Sequence, residues 1–484
     1  MGNTTSAVAQ QCLLDAVGND ASLVAFPSAL LYGSVDVNPY NLDYPVTPAA
    51  VTFPESADQV AAIVKCAVDA DAKVQAKSGG HSYANYAYQC SSHHFTGLGG
   101  DDGAIVVDLR HFQQFSYDPT TQYATIGAGT LLGDIDTKLH DAGNRAMTHG
   151  TSPQVGIGGH ATIGGLGPTA RQFGMALDHV ESVQVVLANS SIVTASTTEY
   201  PDIFYAIKGA GASFGVVTEF TVRTEAEPGI AVQYQFTFNL GDTSSRANTF
   251  KAWQQFIADP SLPREFSCQL VLAEGILLIE GEFFGSLEDF EALQLESKFP
   301  ANQGYNVTVF DDWLALVAAW GVQLGEDLTG GIPAHFYSKS LPFTNTSLIP
   351  DDVVDDFFEY IDTADKDTLL WFIIFDLEGG AISDVPVHAT SYGHRDALFW
   401  LQSYAINLLG PVSATTKTFL NQVNNVFLTG MPDATFGAYP GYVDRELTNG
   451  PEQYWGPNLE TLIEMKSAVD PQDIFHNPQS VPLQ

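Results

Sequence analysis

Three glycine clusters carry the first chemical signal in this chain. They are Lys77-Ser78-Gly79-Gly80-His81-Ser82-Tyr83, Gly156-Ile157-Gly158-Gly159-His160 running on to Gly164-Gly165-Leu166-Gly167, and Lys208-Gly209-Ala210-Gly211-Ala212-Ser213-Phe214-Gly215. Glycine lets a backbone approach a pyrophosphate closely and turn successive N–H groups toward it without cationic side chains. Taken singly, each cluster reads first as a tight turn. None matches the Gly-x-Gly-x-x-Gly strand–helix fingerprint or a P-loop ending in Gly-Lys-Ser/Thr, so Rossmann and kinase readings are weak. A second signal is Asp376, a carboxylate that follows the apolar run Trp371-Phe372-Ile373-Ile374-Phe375. An unpaired carboxylate is costly there and calls for a reason.

Charge and composition narrow the partners. The 484 residues carry 19 basic and 56 acidic side chains, a net charge of −37. Such a surface repels phosphate backbones and anionic lipid, which argues against nucleic-acid binding and membrane docking. No run of about 18 apolar residues offers a membrane span. Aromatic residues at 11% and apolar residues at 45% are too many for a disordered chain. The four cysteines (Cys12, Cys66, Cys90, Cys268) lack CxxC spacing, and the histidines, His93-His94 and His160 among them, lack metal spacing.

The elements that must position these groups fall into two α+β parts. Ser56-Ala57-Asp58-Gln59 is a capping box, and Val60, Ile63, Val64 and Ala67 follow at helical spacing. Strands are predicted at 73–77, 104–109, 123–126, 183–187 and 215–222, with helices near 10–17 and 133–142. After Pro228 the glycine clusters thin. Alternating segments at 232–238 and 269–284 are separated by helical ones at 246–257, 287–297 and 351–361. The organisation expected is therefore 1–225, 226–430 and a C-terminal segment 431–484 that returns to the first part through a helix at 458–469.

Together the clusters resemble the flavin-binding domain of berberine-bridge-enzyme-like, vanillyl-alcohol-oxidase-type FAD-linked oxidases. Ser78-Gly79-Gly80-His81-Ser82 looks like the loop whose histidine is bonded to the flavin 8α-methyl group. Asp202 to Gly209 with Phe214-Gly215-Val216-Val217 resembles the next FAD segment, and Asp470-Pro471 with Phe475-His476-Asn477-Pro478-Gln479-Ser480 resembles the C-terminal signature. Within the family the likeness is to fungal gluco- and chito-oligosaccharide oxidases, through Arg264-Glu265-Phe266-Ser267, Phe336-Tyr337-Ser338-Lys339-Ser340-Leu341, His394-Arg395-Asp396-Ala397-Leu398 and Tyr439-Pro440-Gly441-Tyr442-Val443-Asp444. The implied fold is α+β: a two-part PCMH-type FAD-binding domain under an α+β substrate domain whose antiparallel sheet is covered by helices.

The resemblance also implies roles. FAD contact falls to Ser78, Gly79, Gly80, His81, Ser82, Ser152, Gly156, Gly158, Gly159, His160, Gly164, Gly215, Val217, Asn477 and Gln479. Tyr442 is the implied base for the reducing-end C1 hydroxyl, with Asp376 relaying or orienting the proton, since a phenol titrates near 10 and a bare carboxylate neighbour raises it. Read from its own surroundings, Tyr442 is instead a packed strand tyrosine. Gln402 and Gln269 are implied sugar contacts, and Tyr83 and Trp371 offer flat faces for a pyranose. At 269 a neutral glutamine leaves room for an N-acetyl group, which leans toward chito- over cello-oligosaccharides. Bicovalent relatives carry a cysteine in a His-Gly-Thr-Cys-Pro segment, where this chain reads His149-Gly150-Thr151-Ser152-Pro153. A hydroxyl is a far poorer partner than a thiolate for flavin C6. The expectation is an FAD held monocovalently through His81 at a lower redox potential, reoxidised by O2 or by a quinone or metalloprotein. Cys12 and Cys66 fit the family's N-terminal disulfide, which leaves Cys90 and Cys268 as buried thiols. The alternative is an oxidase or cyclase of a secondary metabolite, and a non-catalytic flavoprotein is a third reading.

Residues 1–6 show no basic n-region or apolar core, and Met-Gly-x-x-x-Ser formally fits a myristoylation pattern without a second anchoring signal. Sequons at Asn3, Asn189, Asn306 and Asn345 suit a secreted glycoprotein, the expected compartment, and a monomer is the expected state.

Overall fold

The computed structural model describes residues 2–88, 104–238, 242–300, 302–320 and 333–484; Cys90 and His93-His94 lie outside them. The floor of the molecule is built from two sheets. In the first, Ala50–Thr52, Ala104–Asp108 and Lys73–Lys77 run parallel, with Val24–Ala25 antiparallel at the edge. Parallel strands need covering on both faces, and the helix Ala57–Asp69 buries Val60, Ile63, Val64 and Ala67 on one of them. Ser56 Oγ accepts from the Gln59 N–H (3.3 Å), and Gln59 reaches back to accept from Glu55 N (2.6 Å). The second sheet is antiparallel, ordered Phe115–Asp118, Tyr123–Gly127, Val216–Arg223, Val180–Val186, Ile192–Ser196.

The helix Gly2–Ala16 is tied to Ala57–Asp69 by a disulfide between Cys12 and Cys66, with Cα atoms 5.8 Å apart. Closing 54 residues of separation contributes about 4 kcal/mol in the chain-entropy account. The C-terminal segment packs into the same core, through Ala438, Tyr454, Trp455, Leu462, Phe475 and Val481.

Above the floor lies a roof, one seven-stranded antiparallel sheet. Its order is Gly304–Phe310, Ala231–Phe238, Ile276–Phe283, Gln269–Ala273, Trp371–Leu377, Ala397–Asn407, His335–Thr344. Helices Thr243–Ile257, Asp351–Thr363 and Ala414–Gly430 cover its outer face with an aromatic core of Phe250, Trp253, Phe357, Phe375, Phe399 and Phe427. Two sequence expectations change here. The alternating run 269–284 is a hairpin, because Gly275 at φ +70° turns the chain between two paired strands. The helix expected over 287–297 is two short ones, Leu287–Ala292 and Leu295–Lys298, broken where Gln294 adopts φ +54°. Among the described residues no helix is long and apolar enough to cross a membrane.

Candidate active site

A cavity of about 440 Å³ runs between floor and roof. Two glycine loops form its base by backbone contact. A Cβ on Gly79 would lie 2.5 Å from Gly156 N, and one on Gly156 would lie 2.1 Å from Ser78 Oγ. Neither position tolerates a side chain, so the loops close only as glycine. Ser78 Oγ donates to Ala128 O at 2.6 Å and anchors the junction. At Gly159, by contrast, a Cβ would meet nothing within 4 Å, and that residue faces the cavity.

The cavity end near the C-terminus is walled by Ala210–Ser213, Gly215, Val217, Trp455, Asn477 and Gln479. Gln479 is locked in place, accepting from Tyr454 Oη (2.9 Å) and donating to Asp444 O (2.9 Å). Among the described lining residues the one lysine, Lys77, is tied to Asp108 at 3.1 Å. An anionic ligand here is therefore met by backbone N–H groups and neutral side chains. That donor set, with two loops pressed flat where a Cβ would intrude, fits an FAD whose pyrophosphate lies on the floor.

His81 lies on the cavity wall with Tyr40 stacked on its ring at 4.6 Å, and burial pushes the imidazole down to about 4, so it is neutral. His160 is pushed down to about 3 by burial, and its Nε2 accepts from Gly150 N at 3.0 Å. Ser152 shares this wall with Gly150, Thr151 and Gly158.

The roof supplies side chains. Register pairs Asp376 with Gln269 and Ile374 with Gln402, and all four line the cavity. Tyr442 enters from the C-terminal segment, stacked at 6.3 Å from Tyr83 and edge-on to Tyr439 at 4.9 Å. Gln402 Nε2 donates to Tyr83 Oη at 3.4 Å. Burial and then the Asp376 charge raise the Tyr442 phenol well above its ordinary value, so it rests protonated. Glu378, two residues beyond Asp376, is raised well above the carboxylate range by burial and by Asp376.

Two of the residues singled out from sequence stand elsewhere. Trp371 is on the opposite face of its strand, because it stands five positions, an odd offset, before Asp376 and side chains alternate with period 2. It is buried against Phe419 at 5.6 Å and donates from Nε1 to Glu274 at 3.0 Å. Phe372, stacked on Tyr404 at 5.1 Å, occupies the inner face instead. Gly164 does not line the cavity; its φ of +148° makes room for the Tyr439 ring, 2.9 Å from where a Cβ would sit. Tyr40 and Tyr404 line the cavity without any sequence motif that marks them for it, although strand parity counted from Gln402 flags Tyr404; Phe336, which opens the family-like segment Phe336–Leu341, lines it too, with no role assigned to it from sequence. Cys268 also lines it, but burial pushes its thiol up to about 12 and it accepts from Trp253 Nε1 at 3.2 Å, an inert arrangement.

Comparison with known proteins agrees with this geometry. The FAD binding domain family matches residues 48–196, and the berberine and berberine-like family matches 438–482. The FAD-linked oxidoreductase sorD of Penicillium rubens is 42% identical over 97% of this chain and 98% of its own. The structure of a xylooligosaccharide oxidase from Myceliophthora thermophila in complex with xylobiose superposes with a TM-score of 0.87 at 32% identity, covering 98% of this chain and 99% of that one. A glucooligosaccharide oxidase from Acremonium strictum, described with a 6-S-cysteinyl, 8α-N1-histidyl FAD, superposes at 0.85 with 31% identity and 98% coverage of both. With both family segments meeting in one cavity and relatives matched along nearly the whole chain, this protein belongs to the berberine-bridge-enzyme-like FAD-linked oxidoreductases.

Proposed function

We propose that the enzyme oxidises the reducing-end C1 hydroxyl of chito- or cello-type oligosaccharides to a lactone, which hydrolyses to the aldonic acid. The observation that carries the reading is the convergence of Tyr442, Asp376, Gln269 and Gln402 at one end of the cavity, above a floor suited to FAD. FAD, when bound, would supply the two-electron acceptor, with O2 or another acceptor such as a quinone or a metalloprotein as the final oxidant. The chain's own part is the proton. A phenol held protonated is no standing base, so Tyr442 takes the C1 hydroxyl proton only as it hands its own to Asp376. Gln269 and Gln402 orient hydroxyl or acetamido groups from the roof.

His81 is proposed as the single covalent flavin link, supported by its neutral imidazole on the cavity wall and by serine at position 152. Acid precipitation followed by mass measurement tests it: flavin retained on the protein is expected, and flavin released overturns the link. Secretion as a monomeric glycoprotein is also proposed, supported by the exposure of Asn189, Asn306 and Asn345; trimming by an endoglycosidase of the naturally produced protein tests it.

A second reading, oxidation or cyclisation of a secondary metabolite, is favoured by the apolar lining from Val271, Phe336, Ile374 and Tyr404. Assay of reducing oligosaccharides against phenolic and allylic alcohols, with O2 or a dye as acceptor, separates the two. Aldonic acid formation supports the first; turnover of the alcohols alone overturns it.

A further inference from the structure

Where the strand carrying Asp376 ends, roof and floor meet through bare backbone. Gly379 and Gly380 follow Glu378 with φ of +81° and +59°, and a Cβ on Gly380 would lie 2.4 Å from the carbonyl oxygen of Arg171 in the floor helix Ala170–Phe173. The Arg171 side chain, 6% exposed, crosses this contact. Its Nε donates to Phe266 O at 2.8 Å, its Nη1 to Glu378 O, and its Nη2 to Pro263 O at 3.3 Å.

These carbonyls flank the ends of two neighbouring roof strands, Gln269–Ala273 and Trp371–Leu377. Glu378 lies two residues past Asp376, Phe266 three before Gln269, and Gln269 is the register partner of Asp376. One rigid, planar guanidinium therefore ties the Asp376 and Gln269 strand ends to the segment that continues into the cavity-lining residues Leu166, Gly167 and Pro168. A buried cation whose hydrogen bonds all go to carbonyls is a poor stability device beside an apolar replacement. It is well suited to holding backbone at a fixed height, and catalytic groups lose rate steeply when displaced by about 1 Å. The neighbouring brace differs. Arg395 and Asp178 form a buried two-point ion pair (2.8 and 2.9 Å) beside the start of the Ala397–Asn407 strand.

We propose that Arg171 is a positioning residue that sets Asp376 against Tyr442 and the cofactor across the floor–roof interface. This rests on the relay reading of Tyr442 and Asp376. The test measures anaerobic flavin reduction by a turned-over substrate across pH, in flavin-loaded protein, for Arg171→Lys, Gly380→Ala, Arg395→Lys, Asp376→Asn and the Arg171→Lys/Asp376→Asn double variant. Arg171→Lys is expected to lower the limiting rate about 10- to 100-fold, with KM within about threefold of the parent and flavin content unchanged. Its loss is expected to vanish in the Asp376→Asn background. Gly380→Ala, which shifts the same turn without removing a side chain, is expected to lower the rate in the same way and decides the matter should Arg171→Lys not fold. An unchanged rate in a loaded variant, an equal fall in Arg395→Lys, or additive losses in the double variant would each overturn the proposal. An unaffected Asp376→Asn enzyme overturns the relay reading first, and this proposal with it.

Discussion

Floor and roof build one cavity by opposite means. The floor works with backbone: Gly79 and Gly156 meet where no Cβ fits, and Lys77, its described lining lysine, is already spent on Asp108. The roof works with side chains placed by alternation, so Asp376, Ile374 and Gln402 face inward while Trp371 and Phe375 face the helices. A chain with a net charge of −37 has few cations to offer an anionic cofactor. Backbone donors solve that problem, and they leave the roof free to vary with the substrate.

The contrast breaks most sharply at Tyr442. Tyr442→Phe is expected to slow flavin reduction by about 10²- to 10⁴-fold while flavin content stays at the parent level; stopped-flow absorbance reads both. Gly156→Ala should do the reverse. It forces the two loops apart at Ser78 and Gly79, so the purified protein is expected to lose most of its flavin absorbance relative to protein, and any residual holoenzyme is expected to keep its rate.

A smaller effect separates the halves by pH. His179, fully buried in the floor, is pushed down to about 4 by burial. Its folded form stays neutral while the unfolded chain takes up a proton near 6.5, so stability falls as pH drops from about 6.5 toward 4. For this histidine alone the loss at pH 5 is about 2 kcal/mol. A thermal melt series between pH 7 and 5 should show a falling midpoint, and a flat profile would remove His179 as a contributor. The smallest change is expected at Trp371→Phe, with KM for any substrate altered by less than about twofold, because that ring faces the outer core.

The same contrast explains what the sequence reveals. Glycine clusters and a capping box are local or compositional, while the family resemblance supplies the Cys12–Cys66 pairing and, carried on Ser78–Ser82 and Asn477–Gln479, reaches the cavity intact. Side-chain facing in the roof is legible only through parity. The odd offset of five positions from Trp371 to Asp376 places them on opposite faces of any strand that holds both, a consequence of the residue numbers alone. The hairpin at Gly275 escapes because its turn is too short to interrupt an alternating pattern. Arg171 escapes for a deeper reason. Its partners are backbone carbonyls more than 90 residues away, and no residue type marks them.

The central claim is that the reacting group is the reducing-end C1 hydroxyl. Anaerobic mixing of the enzyme with N,N′-diacetylchitobiose or cellobiose, each beside its own methyl glycoside, tests it directly. The expected result is bleaching of the flavin by a free sugar and none by its glycoside, in which the C1 oxygen carries no proton for Tyr442 to take. Equal bleaching by both, or by neither, would contradict the account.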